Sequence, residues 1–309
     1  MPCPRHAAVS ALALAAALAP AAAQATTVTT ATTAPIVEPA DNASVTVTDT
    51  GSVVVDAATD ENAVTMEGAN ATVDNAGTIE SESEEAVVFD EDGGTLTNTG
   101  TIASGNKEGV QAEKDFTLTN SGTITAVDDG VNADDGAEVT NSGTITVTGL
   151  GDDAGDGINV NDDSLVTNDS TGLIDATSSE ESDGIQVNRG STVINRGTVR
   201  AGKHGVNAGD EDNVRVVNEG LIEAGNEGVK FDTADGGEVV NTGTIIAADE
   251  GVEAGDVTVT NDGLISAAED AVQVATGTIT NDGIIESTDP DGGGDGLDID
   301  DGSVTNSGV

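Results

Sequence analysis

The sequence has no tryptophan or tyrosine, three phenylalanines and one cysteine in 309 residues, and only 9 lysines and arginines against 57 aspartates and glutamates. Each shortage closes a class of function. With a formal net charge of -48 and 1% aromatics, the chain has neither a basic face for phosphates nor platforms on which bases could stack, which excludes nucleic-acid binding. Anionic membrane surfaces repel such a chain as well. Valine, leucine, isoleucine and phenylalanine make up roughly a fifth of the residues, which together with the charge borders on the disordered class. Composition therefore leaves order open, and placement has to decide it.

The first 25 residues carry Arg5 and His6, an Ala/Leu run from Ala7 to Ala19, and then Ala23-Gln24-Ala25. This pattern reads as a secretory signal peptide, and its apolar run is too short to remain as a membrane anchor. Cys3 lies ahead of that run, against a lipoprotein, and leaves with it. The mature chain keeps no cysteine and has His204 as its sole histidine. A disulfide-free exported chain suits passage across a second membrane in the unfolded state. Residues 26–48, rich in Thr and Ala with Pro35 and Pro39, read as a flexible lead-in and N-terminal cap.

Over residues 49–309 one phrase recurs: an aliphatic residue, one more, Asn, a polar residue, Gly, a variable residue, Ile. A clear copy is Val139-Thr140-Asn141-Ser142-Gly143-Thr144-Ile145, and the anchor asparagines recur every 20 to 27 residues. Between anchors a second phrase appears, as in Glu108-Gly109-Val110-Gln111-Ala112. Three short β-type segments per repeat, separated by Gly, Asn and Asp, predict an all-β, right-handed, single-stranded parallel β-helix of about 11 rungs. Stacking the copies aligns Ile79, Ile102, Ile124 and Ile145 in one inward column and Val73, Leu96, Leu118 and Val139 in another. Each such residue contributes roughly 1.5 to 3 kcal/mol when buried, enough to offset ordering entropy despite the thin apolar content. The anchor asparagines are expected to bond one another and the backbone, and the following Gly to supply a backbone angle closed to other residues. The last copy, Asn306-Ser307-Gly308-Val309, stops partway through a rung, an uncapped end expected of a fragment.

The same alignment sets Arg200 between Asp175 and Glu223, Arg196 before Glu219, Arg215 before Glu238 and Lys230 before Glu253. These cations read as salt-bridge ladders on the outer face, and none as a catalytic base. A further column is acidic: Glu85, Glu108, Asp129, Asp156, Asp183, Glu227, Glu250, Asp270 and Asp295, with His204 among them and expected to be solvated. Like charges at one rung spacing repel, which favours a salt-adapted solvated face or bound cations. Insertions bring Asp152, Asp153 and Asp156 beside Glu180, Glu181 and Asp183 on the next rung, the candidate Ca2+ ligands. Gly293-Gly294-Asp295-Gly296-Leu297-Asp298 is similar to one calcium nonapeptide, but it is not tandem and Asp300 breaks its pattern. Thr123-Ile124-Thr125 and Thr144-Ile145-Thr146 resemble ice-binding arrays, yet their outer column continues into Asp175, Arg200 and Glu223.

The Asn-x-Gly-Thr-Ile and Asp-Gly-Val phrases behind a signal peptide resemble the passenger region of bacterial autotransporters, the β-strand-repeat type with a pertactin-like helix. The likeness covers roughly residues 45 to 309. It implies export, surface display and adhesive roles toward glycans, matrix or other cells. No C-terminal barrel with amphipathic strands follows, so membrane insertion by this chain is not expected. The alternatives are a polysaccharide lyase-like β-helix enzyme and a structural stalk or surface-layer component.

Overall fold

Alternating β-branched and polar residues give short strands whose side chains point in turn to opposite faces. The computed structural model describes residues 24–151, 154–209, 211–232, 236–289 and 292–309. Those residues form a parallel β-solenoid, with three strands to a rung such as Thr95–Asn98, Thr101–Ser104 and Val110–Ala112. The second strands stack into a 12-stranded sheet, so there are twelve turns rather than eleven. First and third strands share a 22-stranded sheet, because in the last rungs they fuse into ten-residue strands at Val252–Asn261, Val272–Asn281 and Leu297–Asn306.

The extra turn comes from the segment expected to be a lead-in. Strands Ala25–Val28, Ala31–Thr32 and Ile36–Glu38 pair in register with Ser44–Val47, Ser52–Val55 and Val64–Met66. What hid it is its anchor position: Val28 and Val47 stand in the column that Asn75 begins. The signal-peptide reading falls on residues of which 1–23 lie outside the described ones.

Rung packs on rung with equivalent residues in register, Ile79 with Ile102, Ile102 with Ile124 and Ile124 with Ile145. All four are fully buried, as are Leu96, Leu118 and Val139. Phe89 and Phe116 meet at 5.2 Å between ring centroids, tilted by 47°.

Beside this core runs a ladder of asparagines. Asn75 Nδ2 donates to Asn98 Oδ1 at 2.8 Å, and the bond repeats through Asn120, Asn141, Asn168 and onward to Asn306. Each amide also reaches a backbone carbonyl, as Asn195 does with Leu221 at 3.0 Å, which satisfies a polar group buried in the stack.

The glycine of the repeat has a different reason from the one expected. Gly77, Gly100, Gly122 and Gly143 do not adopt positive φ; a Cβ on Gly100 would lie 2.1 Å from the carbonyl oxygen of Gly77 one rung away. Close approach of stacked turns, not an unusual backbone angle, excludes a side chain there. Positive φ occurs instead at the turn after the third strand, where Asx and Gly alternate from rung to rung: Asn70, Gly93, Asp115, Gly136, Asp163, Gly190. A Cβ on Gly93 would meet Asn70 Oδ1 at 2.6 Å, so each glycine leaves room for the side chain of the rung before.

Candidate functional site

Charged side chains follow the register. Arg200 pairs across the sheet with Asp175 on one side and Glu223 on the other, and its Nε lies 3.0 Å from Glu223 Oε2. Arg196 reaches Glu219 at 3.0 Å and Asp169 at 3.6 Å; Arg215 reaches Glu238 at 2.6 Å. The outer column of Thr125 and Thr146 continues to Asp175, Arg200 and Glu223, so no flat threonine array forms.

The acidic column behaves differently from a solvated face, because the turn before the third strand tucks it in. Asp129, Asp183 and Glu227 are buried, with Asp156 half-buried between the first two. Asp129, Asp156 and Asp183 each accept the backbone amide of the counterpart one rung on: Asp156 N donates to Asp129 Oδ1 at 2.6 Å, Asp183 N to Asp156 Oδ1 at 2.7 Å, and His204 N to Asp183 Oδ1 at 3.1 Å. The same bond returns where Asp295 N donates to Asp270 Oδ1 at 2.6 Å. A short second ladder of carboxylates thus spans the rungs from Asp129 to His204, with one further step between Asp270 and Asp295. Burial raises Asp129 to about 6 and Asp156 to about 7; beyond burial, the neighbouring carboxylates act in the same direction.

His204 is not solvated as expected; it is 5% exposed and lies between two carboxylates, Nδ1 at 2.7 Å from Asp183 Oδ1 and Nε2 at 3.1 Å from Glu227 Oε2. Burial disfavours its charge, but the two acids outweigh burial and raise its pKa to about 9. Sequence alignment placed His204 in the acid column, and the unlike charge should have signalled an in-column ion pair.

Glu227 also meets the Lys230 ammonium at 2.7 Å, and Lys230 reaches Glu253 at 2.6 Å. His204 first, and then Lys230, hold Glu227 well below the usual carboxylate range. Glu250, with no such cation, is raised to about 7 by burial and by the charges of Glu253 and Glu227. Glu227, Glu250 and Glu253 bring ligand oxygens within 4.8 Å of one another, the geometry of a cation site, but the Lys230 ammonium already bonds two of the three.

Of the Ca2+ candidates, Asp152 and Asp153 lie outside the described residues. Glu180 and Glu181 are exposed and Asp156 is half-buried. Asp183 is buried with both oxygens engaged, Oδ1 by His204 and Oδ2 by Asn207 at 2.6 Å. In the glycine-rich segment, Leu297 packs on the core as an ordinary rung residue.

Where the last rungs lose the turn between third and first strands, an open groove of about 520 Å3 remains. Asp232, Glu253, Asp256, Gln273, Asp298 and Asp300 line it, with no aromatic side chain and no arginine. A cleft of this kind offers carboxylates without an unpaired base.

A family model described as the BigA third pectate lyase-like domain matches residues 40–304. No curated protein and no solved structure matches the chain.

Proposed function

The chain belongs to the BigA third pectate lyase-like domain family, and from that premise we propose that it is an exported, surface-displayed structural and adhesive β-helix rather than an enzyme. One observation carries this reading. Six of the eight lysines and arginines among the described residues, Arg189, Arg196, Arg200, Arg215, Lys114 and Lys230, each contact a carboxylate in an ion pair, which leaves Lys107 and Lys203 outside one. An elimination needs a basic group free to take a proton beside a bound sugar, and a guanidinium or ammonium tied to a carboxylate is a poor candidate. The repeating rungs instead offer an extended polar surface, on which many weak contacts add through multivalency. Extracellular glycans, matrix and other cells are the partners this surface fits, and the autotransporter-passenger resemblance points to the same setting. Calcium, abundant outside the cell, would relieve the repulsion among stacked acids and add to stability.

The family description favours one other reading, a polysaccharide lyase. Beads coated with the full chain, tested on collagen-coated and neutral glucan-coated surfaces, separate the two. Retention that scales with chain density supports adhesion. Absence of retention on both, with release of unsaturated products from polygalacturonate, replaces it with the lyase.

A further inference from the structure

Between residues 184 and 209 the chain contains no aspartate or glutamate, although acids are dense on both sides, and it carries Arg189, Arg196, Arg200, Lys203 and His204. This stretch closes one turn of the solenoid, through strands Ile185–Val187, Thr192–Asn195, Thr198–Ala201 and Val206–Asn207. Its cations reach in both axial directions. Arg189 contacts Asp162 on the preceding rung, Arg200 contacts Glu223 on the following one, and Arg196 and His204 each bridge a carboxylate on either side. Elsewhere along the column of His204 acid stacks on acid, as Asp156 does between Asp129 and Asp183.

Like charges one rung apart repel and unlike charges attract, so the two arrangements contribute with opposite sign to cohesion between turns. We propose that the carboxylate-free turn is an electrostatic seam, which holds the two self-repelling acidic halves of the solenoid in register. Its signature is the direction of the salt response. Salt shortens the reach of every surface charge, from about 30 Å at 0.01 M to 3 Å at 1 M. Screening relieves the acidic rungs and weakens the seam.

Amide hydrogen exchange of the full chain, measured at these two ionic strengths and read segment by segment, tests it. Relative to the acidic segments over 117–133 and 256–274, amides over 185–201 are expected to exchange about threefold or more faster at high salt, the scale of a few surface ion pairs. Arg189→Gln, Arg196→Gln and Arg200→Gln together are expected to abolish that difference. Lys203→Gln, in the same turn but with no ion pair among the described residues, is expected to leave it. Arg189→Lys, Arg196→Lys and Arg200→Lys together keep the charges and are expected to retain the response. A salt effect of one sign along the whole solenoid, or one that survives the three glutamine substitutions, overturns the proposal.

Discussion

Asn141 Nδ2 donates to Asn168 Oδ1 at 2.9 Å across 27 residues of chain, almost the same distance as the 2.7 Å bond that joins Asn241 to Asn261 across 20. Rungs of different length therefore meet at one fixed point, and insertions are absorbed in the turns. Asn141→Ala leaves Asn120 and Asn168 each short of a buried partner, and a loss of about 1–3 kcal/mol is expected. Chemical denaturation of the variant, followed by β-sheet circular dichroism, checks it.

The glycines of the short turn are expected to be less tolerant than those with positive φ and open surroundings. Gly122→Ala places a Cβ 2.1 Å from the Gly100 carbonyl, which cannot yield without moving a rung, whereas Gly151 has nothing nearby. Gly122→Ala should lower the melting temperature strongly, with a stability loss beyond the roughly 1–3 kcal/mol typical of overpacking, and Gly151→Ala only by the strain of its φ. Parallel thermal melts of the two variants decide it.

Two substitutions in the buried column should respond to pH with opposite sign. The raised pKa of His204 means that its charged pair stabilises the fold fully below about 6.5 and loses that contribution as pH rises through about 9. His204→Gln is expected to cost about 3 kcal/mol at pH 6, with the difference vanishing above pH 9. Asp156 is raised as well, but for a carboxylate this is a cost that grows from about pH 4 and is complete above about 7. Asp156→Asn, which keeps an oxygen for the Asp183 amide, should therefore raise stability at pH 8 and leave it unchanged at pH 4. Melting curves of both variants from pH 4 to 10 give the comparison.

Much of this was legible in the residues themselves. The Ile and Val columns, the asparagine ladder and the Arg200–Glu223 register all follow from a period-2 alternation that fixes which way a side chain points. The buried acids were not legible, because Asp129 and Asp183 sit in a turn just before a glycine, where alternation is lost and neither direction nor depth can be read. The Gly100 contact was hidden for another reason: it lies between rungs, and a single repeat holds no sign of how closely the next one approaches. The N-terminal rung escaped because Val47 replaces the asparagine by which the other rungs were recognised.

Millimolar Ca2+ is expected to raise the melting temperature relative to chelator, since stacked carboxylates with raised pKa gain most from a bound cation. Equal melting temperatures in the two conditions would remove calcium from the functional reading and leave the fold untouched.

The stack itself can be measured directly with spin labels. After Cys3→Ser, cysteines replace Thr125 with Ile246, and Thr125 with Glu286, positions five and seven rungs apart in one outer column. At about 4.8 Å per rung the in-register solenoid gives separations of roughly 24 and 34 Å, each narrowly distributed. Broad distributions, or a second distance that does not exceed the first by two rung spacings, would contradict it.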